Sequence, residues 1–338
     1  MKILFDSYNT CCQNKAGGVQ NKIKDLYNCM LSKSYKVNLF NKWEHSLDDY
    51  DILHLFKVSF EYWNLIKYAK SKGMRIVLSA VIPLSGSTKI KLDLLLCRLL
   101  HLHSANFFTK KNFEVVDVIV TETGREKQFI IDVFNISPDK IVVIPNGISL
   151  NFEVADAGLF CDNYDIKKNF VIQIGRIDRN KNLLSVIKAL KNTGIELVVV
   201  GGPAPDEMDY FEECKRNSDE TVHYVGWIKH DDPMLVSALK AAKVLVLPSH
   251  KEIFGNAVFE GAMAGCNIVL TDELPYQEWG MEGRFFSINS NSIEDIKTKI
   301  LTAYKTPINN EVVKEITEHY SIDAITNHHI KLYESLLK

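Results

Sequence analysis

Residues 243–270 read KVLVLPSHKEIFGNAVFEGAMAGCNIVL. The apolar run Lys243–Leu247 and the later run Asn267–Leu270 are strand candidates, and between them a helix begins near Asn256, just after a turn at Phe254-Gly255. Strand, helix, strand is the repeating unit of a parallel sheet. Working outward, the same alternation runs almost from end to end. Strand candidates in the first half are Lys2–Phe5, Lys36–Phe40, Ile52–Phe56, Arg75–Ser79, Val116–Thr121 and Lys140–Ile144. Helical patterns fall between them at Val19–Ser32, Phe60–Ser71 and Glu126–Phe134. In the second half strands read at Phe170–Ile174, Glu196–Val200, His223–Val225, Lys243–Leu247 and Asn267–Leu270. Two successive series of this kind predict an α/β chain with two doubly wound, mostly parallel sheets.

The turn Pro145-Asn146-Gly147 ends the first series, and the polar stretch Ser149–Lys168 reads as a linker. The expected organisation is a first domain over 1–150 and a second over 151–320. A closing helix over 321–338, with Ile322–Leu337 periodic, is expected to pack back toward the first domain. Ligands of such sheets bind beyond the carboxyl ends of the strands, so two facing sheets would place a cleft between them.

Composition bounds the function. The chain has 338 residues, 46% hydrophobic and 24% charged, enough for two ordinary cores. A net charge of −2 gives no global reason to bind nucleic acid. Seven cysteines are scattered, with no CxxC pair or His/Cys cluster, and read as reduced thiols; the adjacent pair Cys11-Cys12 has no redox context. No metal site is expected. The start MKILFDSYN lacks a leader's apolar run, and no stretch approaches the roughly 18 apolar residues that span a bilayer. The expectation is a cytoplasmic protein, at most peripheral to the inner face of the cytoplasmic membrane.

Glu252 precedes the Phe254-Gly255 turn, and Glu260 lies on the helix that follows. A helix start exposes unpaired N–H groups and partial positive charge, which suits a phosphate. An acid on either side of a phosphate seat suits a ligand with hydroxyl-rich groups at both ends, such as a sugar nucleotide. After Phe170–Ile174 comes Gly175-Arg176-Ile177-Asp178-Arg179-Asn180-Lys181, whose glycine permits a tight exit. Arg176 and Lys181 are placed to converge on a diphosphate, although taken alone a solvated basic loop fits as well. Gly17-Gly18 ends a polar loop and opens a helix, which allows close backbone approach but equally an ordinary turn. No histidine earns a catalytic role on spacing: His54 sits inside a strand, and His101 and His103 end a helix.

Thr88–His103 carries Leu92, Leu95, Leu96 and Leu99 on one helical face, with Lys89, Lys91 and Arg98 elsewhere and Lys110-Lys111 following. Such a helix can rest on an anionic lipid surface or guide a lipid-linked acceptor. The ordinary reading is a core-packed helix with a solvated basic side, and that is the expectation here.

Together these features resemble glycosyltransferase family 4, the group 1 glycosyltransferases of GT-B fold. The resemblance rests on Gly17-Gly18, Pro145-Asn146-Gly147, Gly175-Arg176 with Asp178 and Lys181, Gly226, and Pro248-Ser249…Glu252-x-Phe254-Gly255…Glu260-x-Ala262-Met263-Ala264-x-Cys266. It implies two Rossmann-like domains facing a central cleft and a retaining, metal-independent hexosyl transfer from a UDP- or GDP-sugar. The acceptor it implies is a glycan or lipid-linked oligosaccharide of bacterial surface polysaccharide: lipopolysaccharide O-antigen, capsule or exopolysaccharide. By position, Arg176 and Lys181 would hold the diphosphate, Glu252 would contact the donor sugar and Glu260 the ribose. Gly175, Phe254, Gly255 and Asn256 would complete the donor site, with Gly17 and Gly18 of the first, acceptor-binding domain facing the same phosphate or the acceptor. The chain departs from the family twice. Ile76–Pro83 lacks the histidine many members carry after the fourth strand, and the common Glu-Ala pair is Glu260-Gly261. The missing histidine keeps open a catalytically silent sugar-nucleotide-binding subunit that activates a partner enzyme.

Overall fold

The structure, a computed structural model, describes residues 1–7, 18–281 and 285–338. It forms two compact units, Met1–Gly147 with Tyr320–Lys338, and Ile148–His319. Strands of the first are β1 (Lys2–Asp6), β2 (Lys36–Leu39), β3 (Ile52–Phe56), β4 (Arg75–Ser79), β5 (Val118–Thr121) and β6 (Ile141–Val143). Its helices are α1 (Gly18–Ser32), α2 (Trp63–Ser71), α3 (Ser87–Leu100), α4 (Ala105–Val115) and α5 (Gly124–Phe134). The strands pair in parallel in the order β2-β1-β3-β4-β5-β6.

Successive side chains alternate between the faces of this sheet, as the pleat requires. Leu4, Leu53, Leu55, Ile76, Leu78 and Ile119 meet Ile66 of α2, Phe113 of α4 and Ile130 of α5. On the opposite face Ile3, Phe5, Ile52, Phe56 and Val77 meet Ile23, Leu26 and Met30 of α1. The same cluster holds Ile325, Ile330 and Tyr333 of the closing helix Ile322–Leu336. At Gly147 a side chain would stand 2.8 Å from the Ile322 backbone, so only glycine allows that approach.

The second unit holds β7 (Val171–Ile174), β8 (Leu197–Val200), β9 (Val222–Gly226), β10 (Val244–Leu247), β11 (Asn267–Thr271) and β12 (Phe286–Ile288). Its helices are α6 (Ala157–Tyr164), α7 (Leu183–Leu190), α8 (Met208–Asn217), α9 (Pro233–Ala241), α10 (Asn256–Ala264), α11 (Ile293–Lys305) and α12 (Asn310–Tyr320), and α13 is the closing helix. The order β12-β11-β10-β7-β8-β9, all parallel, is the doubly wound arrangement with its reversal between β7 and β10.

Three expectations need correction. The stretch Ser149–Lys168, read as a linker, contains α6, whose Phe160 is buried against Phe170. The strand read at Val116–Thr121 starts at Val118, because Val116 closes α4 with its N–H on the Asn112 carbonyl. More consequentially, the leucine face of α3 is not core. Leu92, Leu95, Leu96 and Leu99 are exposed, whereas Cys97 is buried and Ile90 and Leu94 are packed against the core. This helix is apolar on both sides, and periodicity cannot say which side meets the sheet. The three-residue β12 was not read from the sequence at all; it pairs with Val269–Thr271 and is too short to carry a periodic signal. Among the described residues Cys29, Cys97, Cys161, Cys214 and Cys266 are free thiols, and Cys11-Cys12 lie outside them.

Candidate functional site

β7 and β10 are hydrogen-bonded neighbours, with Val244 opposite Val171 and Leu245 opposite Ile172. The two loops singled out by sequence, Gly175–Lys181 and Pro248–Gly255, leave the carboxyl ends of these two strands. Loops that part at such a reversal leave a crevice, where ligands of open α/β sheets bind.

Asparagines lace the loops together. Asn180 donates from Nδ2 to the Lys251 carbonyl at 3.0 Å and accepts the Lys251 N–H at 2.9 Å. Its own carbonyl takes the His250 N–H. Asn182, in the left-handed conformation at φ 55°, donates to the carbonyls of Pro248 and Ser290. Asp178 caps the intervening 3-10 turn Arg179–Lys181: its Oδ1 accepts the Lys181 N–H at 2.8 Å, and its Oδ2 lies 3.1 Å from Arg176 Nη2. One nearly buried carboxylate therefore holds the Lys181 backbone and the Arg176 guanidinium.

This bracing delivers Lys181 Nζ to Glu252 Oε2 at 2.5 Å. Both side chains are mostly shielded, at 22% and 17% exposure, whereas the Arg176 side chain is 65% exposed. The lysine expected on a diphosphate and the glutamate expected on a sugar thus neutralise each other. Glycines line the strand ends beside them. A side chain at Gly201 would collide with the Gly175 carbonyl, and one at Gly202 would stand 2.4 Å from the Trp227 indole nitrogen.

Phe254 is buried, stacked on Phe259 at 4.5 Å and edge-on to Trp279. Its ring is therefore structural, which leaves backbone as the part it offers to a ligand. Gly255 takes the N-cap of α10 at φ 74° and supplies no capping side chain, with Asn256 first in the helix. Glu260, further along α10, is buried apart from an edge that meets His230: Nε2 to Oε1 is 3.1 Å. Gly261 faces the sheet, where a side chain would stand 2.7 Å from Leu245 and 3.2 Å from Ile268. The departure from Glu-Ala thus reflects close helix–sheet packing.

His230 is the residue that sequence reasoning missed, since it lies on the β9–α9 connection, thirty positions before its partner, with no motif of its own. Of the remaining candidates, Gly17 lies outside the described residues. Gly18 opens α1 in the first unit, where no atom of the described residues lies within 4 Å of the place a side chain would start. Where the family's histidine is absent, Glu126 holds the chain after β4, its Oε1 accepting the Ile82 N–H at 3.0 Å and its Oε2 the Glu122 N–H at 2.7 Å. Burial, reinforced by the neighbouring Glu122 charge, pushes the Glu126 carboxyl up to about 7. Among the described residues no three His, Cys, Asp or Glu side chains are grouped to hold a metal ion.

Residues 162–320 match the family model of the group 1 glycosyl transferases. That stretch is almost the whole of the second unit and contains every site residue placed above on β7, β10 and α10. A probable sucrose-phosphate synthase of Thermosipho melanesiensis is 27% identical over 64% of this chain and 54% of its own length. A Campylobacter jejuni N-acetylgalactosaminyltransferase, named for a diphospho-undecaprenol-linked acceptor, is 26% identical over 46% of this chain and 41% of its own. The chain thus spans about half the length of the curated relatives it matches. Along its whole length the chain has the GT-B fold. The Anabaena protein HepE, solved with UDP and glucose, superposes with a TM-score of 0.74 over 99% of this chain and 100% of its own, at 16% identity.

Proposed function

We propose that the protein is a retaining glycosyltransferase of family 4 that uses a nucleotide-diphosphate sugar as donor. The observation that carries this reading is the Lys181–Glu252 pair at the β7/β10 reversal, with Glu260 on the adjoining helix. A shielded ammonium and carboxylate side by side, with an exposed guanidinium near them, can receive a dianionic diphosphate and the hydroxyls of its sugar. Its phosphate oxygens take over the Lys181 ammonium and the Arg176 guanidinium, and Glu252 turns to the hydroxyls of the sugar. Glu260, supported by His230, accepts from the ribose hydroxyls. When the bond from the anomeric carbon to phosphate breaks, the electron pair goes to the leaving diphosphate. Lys181 and Arg176 stabilise that growing charge more than they stabilise the bound donor. The new bond forms from an acceptor hydroxyl, whose proton leaves with the diphosphate product.

The acceptor is a glycan or lipid-linked oligosaccharide of a bacterial surface polysaccharide, met at the inner face of the cytoplasmic membrane. The Campylobacter relative's lipid-diphosphate acceptor supports this class. No metal enters the reaction, and turnover should persist in EDTA; its loss, with recovery on adding Mg²⁺ or Mn²⁺, would refute that part.

A thermal-shift panel of UDP-, GDP-, ADP- and TDP-sugars tests the donor, because a ligand of the native state raises stability by mass action. One nucleotide series should raise the melting midpoint, and nucleotide release with a matched acceptor should follow. No shift with any nucleotide sugar at millimolar concentration sinks the proposal, and tight binding without release returns the silent subunit.

A further inference from the structure

The outer face of α3 carries leucines at 92, 95, 96, 99 and 100, the i, i+3, i+4, i+7, i+8 stripe of an amphipathic helix, turned away from the core. Their exposures run from 43% at Leu96 to 63% at Leu99, and Leu102 just beyond is 54% exposed. Scattered exposed leucines are ordinary, but a contiguous row along one helix marks an interaction surface. The opposite side already has its partners, with Cys97 buried and Ile90 and Leu94 on the core. Asp93, the one acid of the helix, is spent on Ser104 Oγ at 2.5 Å and Asn106 Nδ2 at 2.9 Å. The helix thus sets three exposed cations against one acid, which is turned to Ser104 and Asn106. Lys91 and Arg98, seven apart, flank the stripe on one side, and Lys89 begins the row that Leu96 continues; all three are exposed.

We propose that α3 lies on an anionic lipid surface, its leucines in the interface and Lys89, Lys91 and Arg98 on the phosphate headgroups. This rests on the membrane-facing part of the function proposed above and names the surface that would serve it. Charge decides between occupants. A second copy packed across a two-fold axis would set three cations against three, with only Asp93, already hydrogen-bonded, to answer them on each helix, whereas an anionic bilayer answers all three. Leucines bordered by cations are also the pattern of helices that lie in the plane of the interface. No described helix is long and apolar enough to cross a membrane, so the contact lies on the bilayer.

Flotation of the full chain with phosphatidylglycerol/phosphatidylcholine vesicles, against phosphatidylcholine alone, tests this. Binding to the anionic vesicles should weaken at high salt. It should fall about tenfold in the Leu95→Gln/Leu99→Gln double variant. Replacing Lys89, Lys91 and Arg98 by glutamate should cost about as much again. These exposed positions carry no core contact, so both variants should keep the wild-type melting midpoint and any donor-induced shift. Absence of vesicle binding by the wild type, or equal binding by both variants, overturns the proposal. So does a concentration-dependent dimer in sedimentation velocity that the leucine variant abolishes, which would assign the stripe to a second copy. Vesicle binding with no nucleotide-sugar shift refutes the donor reading and leaves this one standing.

Discussion

At the scale of single residues, the Lys181–Glu252 pair sets the strongest expectations. A shielded ion pair that a ligand must open has a cost when one partner is removed, because the other charge loses its answer. Lys181→Ala should therefore lower turnover by about ten- to a thousandfold, through loss of a cation facing the leaving diphosphate. Arg176→Ala should act in the same direction, and near-normal rates in both variants would remove the diphosphate assignment. Glu260 and His230 form a second pair, 3.1 Å apart. His230→Ala should weaken donor affinity by about 1 kcal/mol, roughly fivefold, by freeing the Glu260 carboxylate from its partner, with little change in kcat. Glu260→Ala should weaken donor binding further. Unaltered donor affinity in both variants would show that this carboxylate does not touch the ribose. Lys181 and Glu252 were each legible in the sequence because each lies in a loop motif of its own after a strand, although their pairing across 71 positions was not. His230 was not, because its partnership is made by the fold.

Elements explain why glycine recurs around the site. At Gly261 the sequence shows only a propensity cost of about 1 kcal/mol relative to alanine in a helix. The structure adds the opposing term, since a side chain there would stand 2.7 Å from Leu245 Cδ1 and 2.9 Å from its Cβ. Overpacking of that kind costs roughly 1–3 kcal/mol, more than the propensity gain. Gly261→Ala should therefore lower the melting midpoint and shift α10, weakening donor affinity as Glu260 moves. A raised midpoint with unchanged affinity would show that the helix has slack. Strands were legible because buried parallel strands read as unbroken apolar runs bounded by turns, as at Val244–Leu247. Helix orientation was less so. The outer stripe of α3 and its inner residues Ile90, Leu94 and Cys97 are equally apolar in sequence, and only packing tells them apart.

For the molecule as a whole, the closing helix α13 is tied to the first sheet by buried polar side chains. His54 Nδ1 lies 2.6 Å from the Tyr333 hydroxyl and its Nε2 2.9 Å from Ser79 Oγ. The His329 ring lies 5.5 Å from that of His54, and among the described residues neither of its nitrogens has a partner. Burial lowers both, His54 well below 6.5 and His329 to about 3, and Lys22 adds to the effect on each. The unfolded chain takes up protons near pH 6.5 that the native state refuses. The histidines' contribution is thus complete above that pH and is lost as pH falls below it, by roughly 2 kcal/mol each at pH 5. Glu126 acts oppositely. Its carboxyl is raised to about 7, so its contribution is present at low pH and is lost as pH rises through 7. Two histidines against one carboxyl leave a net loss on acidification from pH 7 to 5. His329→Leu removes one titrating group at similar volume and leaves one histidine against one carboxyl, so that acid limb should all but disappear. Melting midpoints of the wild type and this variant at pH 5 and pH 7 provide the check. A wild-type midpoint that does not fall on acidification, or a variant with the same slope, would mean that these rings reach a proton acceptor or solvent in the native state.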